Sequence, residues 1–195
     1  YTVASEHIKK DKLNLITIGE MGIANTTPSA AIAAAFTREP ARDVTGYGSG
    51  VDKDGWFRKV EAVQRGIEVN KPSSHDPIGV LAGVGGFEIG GMAGVILAAA
   101  ENRVPVILDG FISTAAAVIA AGIAPDAAGY MIAGHESEES GHKHLLAKLN
   151  LKPLLQLGMR LGEGTGAVCA IPLVEMAAAT ISEIATLEDA GVNKA

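Results

Sequence analysis

The sequence predicts an α/β protein with a parallel sheet flanked by alanine-rich helices. Short aliphatic runs lead repeatedly into a glycine-rich loop and then into a helix-forming segment, which is the order found in parallel sheets with right-handed crossovers. The run 104–110 is aliphatic up to its last two residues, as expected for a strand buried on both faces. Hydrophobic residues make up 48% of the 195 residues but aromatic residues only 4%, so small side chains let helices pack closely against the sheet.

The predicted elements follow one another along what we expect to be a single domain. Residues 1–12 are expected to form an incoming helix or a linker. Strands are predicted at 13–18, 104–110 and 128–133, with a short extended piece at 153–155. Helices are predicted at 29–37, 52–69, 76–82, 85–100, 113–121, 138–149 and 167–190, the last interrupted near Pro172 and closed by Gly191.

The composition argues against several classes of partner. The formal net charge is −6, whereas a nucleic-acid-binding domain would normally carry a basic face. Cys169 is the single cysteine, so an internal disulfide is impossible and a reducing compartment is expected. The uncharged apolar run 110–125 is shorter than the ~18–20 apolar residues of a membrane span, and no signal peptide is recognisable. We therefore expect a cytoplasmic protein without a nucleic-acid or membrane partner.

Two glycine-rich loops each carry one glutamate between an aliphatic run and a helix-forming segment. Glu163 lies in 157–166, Leu-Gly-Met-Arg-Leu-Gly-Glu-Gly-Thr-Gly, and Glu20 lies in 19–27, Gly-Glu-Met-Gly-Ile-Ala-Asn-Thr-Thr. Glycine permits positive φ and close backbone approach, and amides at a helix start suit an anion or a polar ligand. The alternative is a solvated carboxylate in an ordinary loop. Because the same pattern occurs twice, we expect one site assembled from both loops.

Further polar groups are expected at the same edge of the sheet. Asp109 comes at the end of the predicted strand 104–110, and residues 135–137 follow the predicted strand 128–133. The carboxyl ends of strands in open α/β sheets are where ligands bind. Asp109, His135 and Ser137 are therefore expected to lie near the two glutamates.

The segment after the first predicted helix has two weaker signals. Lys59 lies beside Arg58 on the predicted helix 52–69, and both residues can be interpreted as solvated basic groups. The loop 46–50, Gly-Tyr-Gly-Ser-Gly, is a weak dinucleotide fingerprint, because no clear strand precedes it and its third glycine is misplaced.

Three histidines, His135, His142 and His144, raise the alternative of a zinc site. No cysteine or close carboxylate pattern accompanies them, so no metal is expected. His142 and His144 lie in the charged predicted helix 138–149 and are interpreted as surface residues.

Five motifs occur in an order that resembles one known enzyme family. They are Gly-Glu-Met-Gly-Ile-Ala-Asn-Thr-Thr at 19–27, Thr-Gly-Tyr-Gly-Ser-Gly-Val at 45–51, Val-Gly-Gly-Phe-Glu at 84–88, Leu-Asp-Gly-Phe at 108–111 and Arg-Leu-Gly-Glu-Gly-Thr-Gly at 160–166. Together they are similar to the nicotinate-nucleotide:dimethylbenzimidazole phosphoribosyltransferases of cobalamin synthesis, over essentially the whole chain. The resemblance implies a Rossmann-like sheet, a homodimer and no cofactor. The implied reaction moves ribose 5-phosphate from nicotinate mononucleotide to an aromatic lower-ligand base, giving α-ribazole 5′-phosphate and nicotinate.

The resemblance also implies roles for individual residues. Glu163 is implied to be the general base that takes the imidazole proton, and Glu20 a second catalytic carboxylate near the ribose. Lys59 is implied to face the phosphate, helped by Gly22, Gly48 and Ser137, while Tyr47 departs from the small or basic residue expected there. Asp109 and Glu88 either contact the substrate or orient loops. The full set of expected substrate-binding residues is Gly22, Asn25, Thr26, Gly48, Ser49, Lys59, Gly86, Asp109, His135, Ser137 and Gly162.

One departure from the family concerns length. Family members are much longer, and their N-terminal part supplies much of the pocket for the aromatic base. We therefore interpret residues 1–195 as a single α/β domain, either the C-terminal portion of a longer phosphoribosyltransferase or one piece of a split protein, with the option that 167–190 belongs to a small helical subdomain. Two alternatives stay open, a nucleotide-binding module without chemistry and a nicotinamide-dependent dehydrogenase using the loop 46–50. The acceptor base, whether a benzimidazole, adenine or a phenol, also stays open.

Overall fold

The computed structural model describes residues 1–48, 50–186 and 188–191. Its strands are β1 (Ile16–Ile18), β2 (Val106–Leu108), β3 (Met131–Ala133), β4 (His135–Ser137) and β5 (Leu155–Met159). Its helices are α1 (Thr2–Asp11), α2 (Thr26–Thr37), α3 (Ala41–Val44), α4 (Lys53–Asn70), α5 (Pro77–Val84), α6 (Phe87–Glu101), α7 (Phe111–Ile123), α8 (His142–Leu149) and α9 (Thr165–Glu183), and a 3₁₀ helix spans Pro125–Tyr130.

The paired strands run parallel, which confirms the predicted fold class. β1, β2 and β3 form one sheet in that order, and Val106 pairs with Ile16 on one side and with Met131 on the other. β4 and β5 form a second parallel pair. Gly134 joins β3 to β4, and its N–H donates to the Leu108 carbonyl at 2.9 Å. The second pair therefore continues from the end of the first sheet.

The central strand β2 is covered on both faces, as its aliphatic sequence predicts. Successive side chains of a strand point to opposite faces. Val106 and Leu108 accordingly lie in the larger hydrophobic core, whereas Ile107 packs in a smaller one with Ala167 and Ala170 of α9. The small core places the start of α9 directly against the sheet.

Alanine-rich α2 and α7 form the inner layer of the larger core. Ala30 and Ala33 of α2 and Ala116 and Ala117 of α7 are fully buried. α7 contacts β2, and it also packs against α2 and α6. Methyl side chains let these helices approach one another closely, which is how a core with few aromatic residues is filled.

Several predicted boundaries were wrong, including those of β3, β5, α8 and α9. Residues 128–130 belong to the 3₁₀ helix rather than to β3. α9 runs without interruption through Pro172 and ends at Glu183, short of the predicted end at 190. Proline removes one helix hydrogen bond to the residue four positions earlier, here Val168. Both residues lie on the exposed side of α9, where water can hydrate the freed carbonyl.

Most of α9 is exposed although it is apolar. Val168 is 55% exposed, Met176 56% and Ile181 86%. By length and composition α9 is the helix within the described part of the chain that could cross a membrane, but those two properties alone are weak evidence. An apolar helix of this kind equally suits a surface that another polypeptide segment covers.

Candidate active site

A cavity of about 320 Å³ opens at the carboxyl ends of the strands. Its walls come from β4 and from the loops that follow β1, β2, β4 and β5, so the predicted assembly at one edge of the sheet is observed. The predicted site residues that line it are Glu20, Gly22, Asn25, Thr26, Gly48, Asp109, His135, Ser137, Gly162 and Glu163. Lys59 and Gly86 are outside this lining, and Ser49 lies outside the described residues.

The two glutamate loops are joined through their backbones. The Glu163 N–H donates to the Glu20 carbonyl at 3.1 Å. A Cβ added at Gly19 would lie 2.1 Å from the Gly164 nitrogen and 2.3 Å from its Cα. Only a residue without a side chain permits this approach. The glycines that flank the glutamates in the sequence thus bring the two carboxylates into one cavity.

Glu163 has a left-handed backbone conformation, with φ of 58°. Its neighbours Gly162 and Gly164 are also left-handed, with φ of 84° and 77°. Glycine adopts this region freely, but a residue with a Cβ pays a strain cost that the surrounding contacts must offset. Glu163 therefore keeps a backbone conformation that a glycine would adopt without strain, at a position that lines the cavity.

Asp109 holds the Glu163 loop against the end of β2. Its carboxylate accepts hydrogen bonds from the N–H groups of Gly164 at 3.1 Å, Gly166 at 2.7 Å and Ala167 at 3.3 Å. Burial alone would raise the pKa of Asp109, but His135, with Nε2 at 3.5 Å, and the two glycine amides outweigh it and hold the pKa below its usual value. Asp109 is therefore a buried carboxylate that orients the loop.

Glu20 is in a different environment from Asp109. Burial raises the pKa of Glu20, and the nearby charges of Glu88 and Asp109 raise it further against a hydrogen bond from Asn25. Asn25 is the N-cap residue of α2, but its side-chain amide donates to the Glu20 carboxylate and not to the helix. The cavity thus contains carboxylates whose surroundings push their proton affinities apart, a pattern common in acid–base sites.

Lys59 lies directly behind the cavity wall. Its ammonium donates to Thr26 Oγ1 and to the Gly46 carbonyl, both at 2.9 Å. A Cβ added at Gly48 would lie 3.2 Å from Lys59 Nζ. Burial lowers the pKa of Lys59, while the charge of Glu139 opposes that shift. We call Thr26, Gly46, Gly48, Lys59 and Glu139 the Lys59 cluster.

Two charged residues of the cavity wall were not predicted from the sequence. Glu139 lines the cavity and accepts a hydrogen bond from the Gly48 N–H at 3.0 Å. Its position in a predicted charged helix suggested a solvated residue, but α8 begins only at His142. Arg160 also lines the cavity and is exposed. Arg160 belongs to the motif 160–166, and its charge there could have identified it as a site residue.

The cavity also has an apolar part. Met21, Ile23 and Leu161 line it although they are 78%, 97% and 71% exposed. Apolar side chains at a cavity mouth suit a flat hydrophobic ligand or a covering protein segment.

His142 is buried, so its interpretation as a surface residue was wrong. It is 0% exposed and shares the buried side of α8 with Leu145 and Leu146. The spacing of these three residues is the helical one, and it could have identified the buried face. His144 is partly exposed, with Nδ1 3.6 Å from Glu39 Oε1. Over residues 1–48, 50–186 and 188–191, no group of three metal-ligating side chains is found.

The burial of His142 predicts loss of stability in acid. Burial, followed by the effect of His135, lowers the pKa of His142 from 6.5 to about 3. Between these values the unfolded chain binds a proton that the folded chain does not, so stability falls as the pH falls. The expected slope is up to about 1.4 kcal/mol per pH unit. Urea denaturation from pH 7 to pH 4 measures it, and His142→Asn should flatten it; equal slopes would contradict the assignment.

The loop 46–50 follows α3, a helix, and leads into α4. A dinucleotide fingerprint requires a strand before its glycines. The structure therefore gives the dehydrogenase alternative no support at this loop.

The fold and the cavity define a parallel α/β protein with a carboxylate-lined small-molecule site at the carboxyl ends of its strands. A family model described as phosphoribosyltransferase matches residues 1–192. The chain belongs to this phosphoribosyltransferase family.

Proteins similar to the chain share a more specific name. It is 54% identical over 185 residues to the nicotinate-nucleotide–dimethylbenzimidazole phosphoribosyltransferase of Desulforamulus reducens, a match that covers 95% of this chain and 53% of that protein. The protein of the same name from Desulforudis audaxviator is 55% identical over 183 residues, covering 94% and 52%. The crystal structure of CobT from Thermus thermophilus superposes with a TM-score of 0.91 at 43% identity, covering 99% of this chain and 57% of that one. The chain thus spans about half the length of the curated relatives it matches.

Proposed function

We propose that the protein transfers ribose 5-phosphate from nicotinate mononucleotide to 5,6-dimethylbenzimidazole or a similar aromatic base. The products are α-ribazole 5′-phosphate and nicotinate. The observation that carries the proposal is the pair of carboxylates, Glu20 and Glu163, that two backbone-joined loops bring into one cavity. Membership of the phosphoribosyltransferase family and the names of the relatives support the same reaction.

The residue inventory suits the chemistry of this transfer. The bond between C1′ and the pyridinium nitrogen breaks, and nicotinate leaves with a neutral ring nitrogen, so the departure needs no general acid and no metal. The acceptor nitrogen forms the new bond to C1′ on the opposite face, which converts the β to the α configuration. Glu163 takes the N–H proton of the acceptor. Glu20, aided by Asp109, stabilises positive charge that develops on the ribose.

We place the phosphate of the nucleotide at the Lys59 cluster and the acceptor base at the apolar part of the cavity. The ammonium of Lys59 and the Ser137 hydroxyl suit an anion, and the absence of side chains at Gly22 and Gly48 lets the anion approach closely. Met21, Ile23 and Leu161 suit the face of an aromatic ring. Ser49, Asn25, His135 and Gly162 stay proposed substrate contacts. Gly86 also stays proposed, but it does not line the cavity and needs movement or the remainder of the protein.

We also propose a cytoplasmic homodimer in which the exposed apolar face of α9 is covered. The support is that Met176 and Ile181 are more than half exposed on a helix that buries only Gly166, Ala167 and Ala170. Sedimentation of the full-length protein tests this: a monomer would contradict it.

Removal of the Lys59 charge tests the phosphate position. An ammonium near a phosphate contributes the same binding energy in the ground state and the transition state. In the full-length protein, Lys59→Met should therefore raise KM for nicotinate mononucleotide roughly 10–100-fold with little change in kcat. Arg58→Met, an exposed neighbour on α4, is the matched control. An unchanged KM in Lys59→Met would mean that Lys59 does not contribute to binding of the phosphate.

The reaction itself is tested by incubating the full-length protein with nicotinate mononucleotide and a panel of benzimidazoles, adenine and phenols. Release of nicotinate with formation of the α-riboside phosphate is the expected result. Calorimetric binding of the nucleotide without nicotinate release would favour a binding module instead. Binding of NAD with oxidation of a substrate would favour a dehydrogenase.

A further inference from the structure

A buried imidazole connects two walls of the cavity without lining it. His142 Nδ1 accepts a hydrogen bond from the Ser137 N–H at 2.9 Å, and its Nε2 lies 2.9 Å from Thr114 Oγ1. Thr114 Oγ1 in turn donates to the Gly110 carbonyl at 2.8 Å. Ser137 and Gly110 both line the cavity, whereas His142 and Thr114 are 0% exposed.

These contacts define one tautomer of His142. Because Nδ1 accepts from a backbone N–H, it carries no proton, and the ring proton lies on Nε2. Nε2–H then donates to Thr114 Oγ1, whose own proton is used by the Gly110 carbonyl. A protonated ring would lose the bond to Ser137. The very low pKa of His142, about 3, agrees with a ring that stays neutral.

Hydrogen bonds connect Ser137 to the Lys59 cluster. Its hydroxyl accepts a hydrogen bond from the Glu139 N–H at 3.3 Å, and the Glu139 carboxylate accepts from the Gly48 N–H at 3.0 Å. The charge of Glu139 also acts on Lys59. The position of the Ser137 backbone therefore determines where the loop carrying Gly48 meets the cavity.

We propose that His142 is a positioning residue for nucleotide binding, which holds Ser137 and, through Glu139, the Lys59 cluster in place. It acts through the Ser137 N–H and makes no contact with the nucleotide. The proposal rests on the proposed function, since it takes the Lys59 cluster as the phosphate end of the site.

Two amide substitutions test the hydrogen bonds of Nδ1 and Nε2 separately. The Asn side chain places its oxygen where Nδ1 lies and can still accept from Ser137, whereas the Gln side chain reaches the Nε2 position and leaves the Ser137 N–H unpaired. We expect His142→Gln to raise KM for nicotinate mononucleotide about tenfold or more, and His142→Asn to stay within about threefold of wild type. kcat should change less than KM in both.

A purely structural role predicts a different result, in which KM does not distinguish the two variants and both simply lose stability equally. That result would overturn the proposal. His144→Asn and His144→Gln on the same helix are the matched controls. If His142→Gln fails to fold, His142→Met replaces it: it also removes the acceptor of the Ser137 N–H, and its KM should rise as expected for His142→Gln. An unchanged KM in His142→Met would also overturn the proposal.

Two further readouts separate this proposal from the proposed function. Nitrogen-15 NMR of the imidazole should show an unprotonated Nδ1 and a protonated Nε2 from pH 5 to pH 8, and the opposite tautomer would contradict the geometry whatever the activity. If the wild-type protein binds nicotinate mononucleotide without turnover, the same comparison is made with calorimetric dissociation constants. In that case the proposed reaction is contradicted, but the positioning role of His142 is still tested. If the protein does not bind nicotinate mononucleotide at all, both proposals are contradicted.

Discussion

Glu163→Gln is expected to lower kcat by roughly 10²–10⁴-fold, the usual loss when a general base is removed. Glutamine keeps the size and hydrogen-bonding shape of the side chain but cannot take the proton of the acceptor base. The backbone bond from Glu163 to Glu20 and the capping of the loop by Asp109 do not involve the Glu163 side chain. KM for nicotinate mononucleotide should therefore stay near the wild-type value in steady-state assays of the full-length protein.

Glu20→Gln is the matched comparison for this prediction. Glutamine at this position can still accept from Asn25, so the loop is retained. Loss of one stabilising carboxylate near the ribose should cost less than loss of the base. A fully active Glu163→Gln beside an inactive Glu20→Gln would show that the roles of the two glutamates are reversed.

Gly19→Ala is expected to disrupt the site and to destabilise the fold. The added Cβ would lie 2.1 Å from the Gly164 nitrogen and 2.9 Å from the Glu163 carbonyl carbon, and both are backbone atoms. Relief of this overlap requires the two glutamate loops to separate, which breaks the bond between them. We expect a loss of about 1–3 kcal/mol in the free energy of unfolding, the range typical of overpacked sites. Activity should fall to the detection limit.

Gly91→Ala provides the control for this experiment. A Cβ added at Gly91 of α6 has no neighbour within 4 Å, so alanine there should be neutral or stabilise the helix by up to about 1 kcal/mol. Urea denaturation and product formation are measured for both variants. Wild-type stability together with wild-type kcat in Gly19→Ala would mean that the close contact between the loops is not needed.

The position of the two glutamates could be predicted from the sequence. Each lies among glycines after an aliphatic run, and parallel strands bring such loops to one edge of the sheet. In the structure the two loops are in contact through their glycines, Gly19 and Gly164. Likewise, the continuous aliphatic run around Ile107 predicted a strand covered on both faces, which is observed.

Contacts between distant parts of the chain could not be predicted in the same way. Glu139 reaches Gly48 across 91 positions in sequence, and no local pattern encodes that contact. The polar sequence around His142 suggested exposure, whereas its hydrogen bonds to Ser137 and Thr114 make burial of a polar ring possible. Whether Lys59 faces solvent or the cavity wall also depends on the path of residues 46–48, because its ammonium donates to the Gly46 carbonyl.

The most direct test of the account compares Glu163→Gln with wild type on two acceptor bases. 5,6-Dimethylbenzimidazole must lose its N–H proton when it attacks C1′, whereas 1-methylbenzimidazole attacks through its free nitrogen and has no such proton to lose. If Glu163 is the base, the substitution should slow the first acceptor by roughly 10²-fold or more and the second only slightly, measured as kcat with saturating nicotinate mononucleotide. An equal loss of kcat with both acceptors would contradict the assignment of Glu163 as the general base.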